Sequence, residues 1–274
     1  MKTLRMFGMA LLAVLMCVNF ASCSSDDNDE PKTEKKGTFV VGKNLIEVFG
    51  NHLCYDFNYD EQGRVIKYSE DSETYTYTYS NKEVVKKAKN KDVTFTYTLD
   101  NNVISELKRI QHYSYGTDTI TAKYFYTNNA ISRIEVKQRD NHSNVTNPAL
   151  YQDKFYYYTW SDENISTRKL ITNSQYDSYT CYMHYTTTPC HFTLGQFCGF
   201  PDATYVDIYL LWEGYYGKKP KNVVKFEEKI HYDNYKEVIN HEYEFDKDDY
   251  ITRGRYETNY GGSSSTQTLN IKWE

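Results

Sequence analysis

The chain has 274 residues, a net charge of −5 at pH 7 and a mean hydropathy of −0.76. An acidic chain lacks the basic field that attracts nucleic acid, so no nucleic-acid partner is predicted. Tyrosine occurs 29 times and phenylalanine 13 times. Because Tyr and Thr suit a half-buried pleated surface, we expect a broad, solvated β-sheet and not a compact aliphatic core.

The first residues have the three parts of a bacterial export signal. Lys2 and Arg5 give a basic start, residues 6–20 form an apolar stretch, and small residues precede Cys23. The apolar stretch is shorter than the roughly 20 residues that a spanning helix needs, so we do not expect a transmembrane anchor. Residues 1–22 are therefore predicted to be a signal peptide.

The tetrapeptide Phe20-Ala21-Ser22-Cys23 resembles the lipobox of bacterial lipoproteins. The resemblance implies that the chain is cut before Cys23, whose sulfur and amine then carry acyl chains. Several acyl chains make a stable anchor, so a membrane is the first predicted partner. The alternative is a plain signal peptide followed by a buried structural cysteine.

Residues 23–37 are predicted to be an acidic, flexible tether. Asp26, Asp27, Asp29 and Glu30 follow Cys23 closely, and small, like-charged residues bury too little apolar area to become ordered. The run also resembles the acidic export signal of Bacteroidetes lipoproteins, which implies a place on the outer face of the outer membrane. The alternative is a spacer that only holds the domain away from the lipid headgroups.

One pattern recurs along the rest of the chain. An alternating run ends in an aromatic residue, a short polar turn follows, and the next run starts with Val or Ile. Turns rich in Asn, Asp and Gly between alternating runs indicate β-hairpins, and a repeated hairpin makes an up-and-down meander. The copies run from Tyr59 to Val65, Tyr79 to Val84, Tyr97 to Val103, Tyr126 to Ile131, Tyr158 to Ile165 and Phe245 to Ile251.

Side chains alternate with period two inside the runs. In residues 73–79 the tyrosines take one face and the threonines the other, and residues 93–97 repeat this arrangement. Without a 3.6-residue apolar stripe, we expect almost no helix. Residues 38–274 are thus predicted to be one all-β domain, an antiparallel meander of Tyr-rich hairpins that forms a large curved sheet or an open or closed barrel. Irregular breaks are expected at 141–149, 189–201 and 214–220.

The clearest copy of the repeat, Tyr59-Asp60-x-x-Gly63-Arg64-Val65, resembles the YD-type repeat of large bacterial surface and toxin-shell proteins. The whole layout of lipobox, acidic tether and Tyr-rich hairpins resembles a family of Bacteroidetes lipoproteins with a porin-like fold. The likeness covers most of residues 50–260. It implies a fold and brings no established activity with it.

The strand at residues 84–89 argues against an integral outer-membrane barrel. Such barrels need an uninterrupted apolar row that faces lipid. Lys86 and Lys87 are neighbours in this strand, so they place charge on both of its faces. We therefore expect a barrel or sheet that is surrounded by water.

Four cysteines follow the predicted anchor: Cys54, Cys181, Cys190 and Cys198. A compartment outside the cytoplasm favours disulfides, and four cysteines allow three pairings. Cys190 and Cys198 flank a predicted tight hairpin that sets them opposite each other, which leaves Cys54 to pair with Cys181. Buried thiols are the alternative. No metal site is predicted, because these cysteines and His184 match no common zinc spacing.

No motif of a catalytic or cofactor site is present in the sequence, so neither catalytic residues nor a cofactor are predicted. His231 and His241 lie on the arms of a predicted hairpin around Asn234. Hydrophilic strand faces commonly carry histidines, so no catalytic role is predicted for either. The predicted function is a non-catalytic binding or structural module of the cell envelope with a glycan or protein ligand. Exposed aromatic rings suit such ligands, and Trp160 and Trp212 are the candidates. The alternative is a secreted hydrolase that acts on polysaccharide.

Overall fold

The computed structural model describes residues 43–50, 54–142, 153–191, 199–200, 205–260 and 263–274. Within these ranges the strands are β1 (Leu45–Phe49), β2 (Cys54–Tyr59), β3 (Val65–Glu70), β4 (Glu73–Tyr79), β5 (Glu83–Ala88), β6 (Val93–Asp100), β7 (Val103–Tyr113), β8 (Gly116–Thr127), β9 (Ala130–His142), β10 (Asp153–Ser161), β11 (Asn164–Thr172), β12 (Tyr179–Pro189), β13 (Asn222–His231), β14 (Lys236–Phe245), β15 (Ile251–Tyr260) and β16 (Ser263–Trp273). Each strand pairs antiparallel with its neighbours in the chain, and β1 also pairs with β16, which closes a barrel. The all-β meander is confirmed in its barrel form.

The connections between strands lie at two ends of the barrel. The plug end, where Asn44 and Glu274 exchange backbone hydrogen bonds of 3.0 Å, carries the polar turns of the sequence repeat. Asn101-Asn102 and Asn128-Asn129 form two of these turns, and all four residues have positive φ, which the tight turns of β-hairpins require. The far end carries the connections at 71–72, 89–92, 114–115, 173–178 and 232–235.

A β-bulge follows several turns at the plug end. One extra residue, such as Ser105 after Ile104 or Ser132 after Ile131, interrupts the pairing register. Its hydroxyl donates to a carbonyl of the facing strand at 3.1–3.2 Å, and Ser166 and Thr252 do the same. The bulge keeps the preceding aliphatic side chain in the lumen while the strand bends.

Aromatic side chains hydrogen-bond the carbonyls of the aliphatic residues at these bulges. A bulge removes backbone groups from the sheet ladder, and a buried carbonyl needs a donor. The ring O–H or N–H groups donate at 2.6–2.9 Å. This bond gives a role to several aromatic residues that precede a turn, whereas the aliphatic residues at the bulges are buried. The pairs are Tyr59 with Leu45, Tyr79 with Val65, Tyr126 with Ile104, Trp160 with Ile131, Tyr243 with Val224 and Trp273 with Ile251.

Side chains of the wall alternate between the lumen and the solvent, as the sequence indicated. On β4 the Tyr77 side chain faces inward and is 5% exposed, whereas Thr76 and Thr78 face outward and are exposed. On β5, Lys86 faces the lumen and Lys87 the solvent. The outer wall is therefore polar. Other exposed outward residues include Lys108, Lys123, Lys137, Lys169, Glu242, Arg253 and Arg255.

The lumen is filled at the plug end by residues 190–191, 199–200 and 205–221, which we call the plug. The prediction of a solvated sheet without a compact core is wrong here, because these residues bring apolar side chains inside the barrel. The short helix α1 (Ile208–Trp212) is buried at all five positions, and Tyr209 packs on Tyr68 of β3 at 4.9 Å between ring centroids. Other ring pairs join Tyr215 to Tyr79, Tyr216 to Tyr124, and Phe200 to Tyr158.

Candidate functional site

Asp207 fastens the plug to the barrel wall. Its Oδ1 accepts the backbone N–H groups of Tyr209 and Leu210, which caps the start of α1. Its Oδ2 accepts the Tyr77 hydroxyl at 2.8 Å and the Lys86 ammonium at 3.0 Å. Because Asp207 is only 5% exposed, these bonds replace the water that its charge would otherwise hold. This carboxylate has a structural role.

A second buried ionic network joins the four strands β11, β12, β13 and β14. Glu227 on β13 lies 3.3 Å from the Arg168 guanidinium and 3.2 Å from His241 Nε2. The Cys181 thiol donates to the same carboxylate at 3.3 Å, and Arg168 also donates to the carbonyl of Gly199 in the plug. The network therefore holds four strands and the plug together.

The chemistry of this network favours structure over catalysis. Burial alone would raise the pKa of Glu227, but the hydrogen bond from His241 and the charge of Arg168 hold it below its ordinary value. Burial raises the pKa of the Cys181 thiol to about 12, so the thiol is neutral near pH 7 and is a poor nucleophile.

Two exposed tyrosines lie in connections at the far end of the same strands, and three polar residues lie on β13 and β14 at that end. Tyr176 and Tyr232 are 74% and 57% exposed, and their ring centroids are 6.3 Å apart in a T-shaped arrangement. Glu237 lies 3.0 Å from Lys229 and 3.1 Å from His231, next in the chain to Tyr232. We call these five residues the tyrosine edge. The edge combines apolar ring faces with half-buried hydrogen-bonding groups, which is the chemistry that suits a sugar ring.

The structure places both predicted ligand-binding tryptophans away from an exposed face. Trp212 lies in α1 and is 2% exposed. Trp160 is half-buried against the core, and its indole N–H donates to the carbonyl of Ile131 at 2.8 Å. Trp212 therefore fills the lumen and is not an exposed binding ring, whereas Trp160 supports a bulge and its ligand-binding role stays a prediction. The sequence showed aromatic residues at strand spacing everywhere and held no signal that marked Tyr176 and Tyr232, which stand in connections.

The cysteines differ from the predicted pairing where they are described. Cys54 on β2 and Cys181 on β12 are buried free thiols on strands that are not neighbours, so the predicted bond between them is wrong. Cys190 is buried, but Cys198 lies outside the described residues, and their pairing stays a prediction. Cys23 also lies outside the described residues, so its lipidation stays a prediction as well.

No metal site is formed by the described side chains. Cys181 is buried and faces the lumen, whereas His184, three residues along β12, is exposed on the outer wall. Within the described ranges, no group of three or more His, Cys, Asp or Glu residues is placed to hold a metal ion, and no helix is long and apolar enough to cross a membrane.

No family model matches the chain, and no curated protein matches it in sequence. Its fold is similar to that of a porin-like protein from Bacteroides uniformis ATCC 8492, with a TM-score of 0.60 and 13% identity over 85% of this chain and 97% of that chain. A porin-like protein from Bacteroides vulgatus ATCC 8482 gives a TM-score of 0.59 and 11% identity over 84% of this chain and 98% of that chain. The porin-like fold that the sequence resemblance implied is therefore confirmed.

Proposed function

We propose that the protein is a lipid-anchored envelope protein of the outer membrane that binds a glycan at its tyrosine edge and performs no catalysis. The exposed Tyr176–Tyr232 pair carries this proposal, and Tyr232 directly follows His231, which lies 3.1 Å from Glu237. The ring faces would pack on the C–H groups of a sugar, and the charged groups would bond its hydroxyls.

Three observations support the envelope role. The N-terminal residues resemble those of an exported lipoprotein, and the fold is that of porin-like proteins. The outer wall is polar and suits water, so a lipid on Cys23 would supply the membrane attachment. The plug contacts strands on several sides of the lumen, which favours a binding role over a conducting pore.

The glycan proposal predicts that Tyr176→Ala and Tyr232→Ala each weaken binding about five-fold or more, because truncating an anchoring ring commonly costs more than about 1 kcal/mol. Purified protein would be screened on a glycan array, and the affinity of any retained glycan would then be measured by calorimetry. The matched control is Tyr182→Ala, which removes a 43% exposed tyrosine from the outer wall of β12 and should leave the affinity unchanged.

Two outcomes would count against this assignment. Equal loss of affinity in the Tyr182→Ala control would show that the tyrosine edge is not the site. Turnover of a polysaccharide that is abolished by changing one carboxylate would refute the non-catalytic role and favour the hydrolase.

The anchor is tested separately. Cys23→Ala should abolish incorporation of labelled fatty acid and leave an uncleaved precursor, because the acylated sulfur and the cleavage site are lost together. Cells that express either form would be labelled, and membrane and water-soluble fractions compared. A variant that still takes up label would show that the lipobox reading is wrong.

A further inference from the structure

A small pocket lies at the plug end, between α1 and the strands that close the barrel. Its volume is about 30 Å³, and its walls include the rings of Tyr59, Tyr209, Trp212 and Trp273 and the side chain of Glu213. One water needs roughly 10–15 Å³ of such space. The pocket therefore has room for a charged head group with one or two carbons and not for a sugar ring.

Glu213, directly after α1, is the acidic residue in the pocket wall. Its Oε1 accepts the N–H of Val65 at 3.0 Å and the hydroxyl of Tyr79 at 3.2 Å. Its Oε2 is buried and has no hydrogen-bond partner among the described residues. Natural structures seldom leave a buried polar atom in this state, so the atom marks a place for a donor.

The nearby cations are already engaged by other acids. The Lys43 ammonium lies 2.6 Å from Asp246 and 2.8 Å from Asp248. Arg64 donates to Asp60 at 2.7 Å, and its guanidinium stacks 4.2 Å from the centre of the Tyr79 ring. Neither forms an ion pair with Glu213 within 4 Å in the described part of the chain.

The polar edges of two wall rings are also engaged. The Tyr59 hydroxyl donates to the carbonyl of Leu45, and the Trp273 indole N–H donates to that of Ile251. What these rings offer to the pocket is their π surface, which attracts cations. Glu213 Oε2 lacks a hydrogen-bond donor and is surrounded by aromatic rings. Both features favour a ligand whose donor group is positively charged.

We propose that the pocket binds a primary ammonium group, which donates to Glu213 Oε2 and packs against the surrounding rings. The ammonium fits the volume, completes the hydrogen bonding of the carboxylate and gains from the ring faces. It would belong to a small free amine, because the pocket has no room for the ring of an amino sugar. The proposal is independent of the tyrosine edge, which lies at the other end of the barrel.

Binding to this pocket should release a proton. Burial raises the pKa of Glu213 to about 8, with Asp207 adding to the rise and Val65, Tyr79 and Arg64 opposing it. The empty site is thus mostly protonated at pH 7, and an ammonium ligand requires the carboxylate. Affinity should therefore increase as the pH rises from about 6 to 8.

The test uses ethylamine as the probe and ethanol as its neutral counterpart, with calorimetry on the whole purified protein in two buffers of different ionisation enthalpy. Ethylamine should bind with proton release and ethanol should not bind. Glu213→Gln should weaken ethylamine about 10- to 100-fold, because it removes the charge of one charged hydrogen bond. Gln resembles the protonated acid, so it keeps the acceptor for Val65 and Tyr79. The matched control is Glu163→Gln at the same end.

The outcomes separate this site from the competing explanations. Glucosamine carries its ammonium directly on a ring that does not fit the pocket, so it should bind more weakly than ethylamine, and tighter binding of glucosamine would overturn the proposal. Equal binding of ethylamine and ethanol, or unchanged affinity in a folded Glu213→Gln variant, would overturn the proposal. If that variant does not fold, ethylamine binding to the unmodified protein without proton release would overturn it as well.

Discussion

Glu227→Gln is expected to lower the free energy of unfolding by about 3–5 kcal/mol, because it leaves the buried Arg168 guanidinium without its counter-charge. Arg168 and Glu227 are each only about 3% exposed, so water cannot replace the lost pair. Reversible urea unfolding followed by circular dichroism would give the difference. The matched control is Glu242→Gln on the outer wall, whose pair with Arg255 is exposed and should contribute less than about 1 kcal/mol.

The same network gives a pH dependence whose sign follows from the pKa of Glu227. That pKa lies below its ordinary value of 4.5 in the folded protein. The stabilisation is therefore complete above the unfolded value and is lost as the pH falls through the folded one. Stability that rises on acidification through this range in the natural protein, but not in Glu227→Gln, would contradict the assignment. Equal costs for Glu227→Gln and Glu242→Gln would also contradict it.

Asp207→Ala should release the plug from the barrel wall. It should lower the free energy of unfolding by about 3–5 kcal/mol, because it leaves the Lys86 ammonium as a buried charge without its partner. Lys86 is only 12% exposed, and the Tyr77 hydroxyl and the first N–H groups of α1 would lose their acceptor as well. Limited proteolysis should then cut the chain within residues 205–221, at protease concentrations that leave these residues of the natural protein uncut.

A turn aspartate at the same end is the control for this variant. Asp60 accepts the N–H groups of Gln62 and Arg64, so Asp60→Ala should cost only about 1 kcal/mol and leave the plug protected. Protection of residues 205–221 in a destabilised Asp207→Ala protein would show that the plug is held by its other contacts. Similar costs for the two variants would show that Asp207 acts as an ordinary cap.

The strands were predictable from the sequence because their signals are local. Alternation of Tyr and Thr in residues 73–79 sets the two residue types on opposite faces whatever the sheet packs against, and Asn and Asp favour the positive φ of tight turns. The residues that bond at the bulges are also visible as repeated pairs, such as Ile131-Ser132 and Ile251-Thr252. The role of their hydroxyl groups at the bulges was not predictable. Each hydroxyl donates to a carbonyl of the facing strand, and only the pairing register identifies that acceptor.

The plug was missed because its structure depends on the barrel around it. A helix of five residues buried on every side has no amphipathic period, and so short a helix is not stable alone. Asp207 could have suggested a cap, but its partners Tyr77 and Lys86 are more than 100 residues away in the chain. Pairing Cys54 with Cys181 by elimination failed for the same reason, since a disulfide requires neighbours in space.

The sequence by itself determined the all-β class, the hairpin turns and the alternation of faces along the strands, because these follow from backbone preferences and period two. Only the tertiary structure decided that the sheet closes, that the plug fills its lumen, and which aromatic rings stay exposed. Tyr and Trp have an apolar body and a polar edge, so they serve equally in a core and on a surface. Trp212 became core and Tyr176 stayed exposed because the barrel encloses the first and leaves the second at its far end.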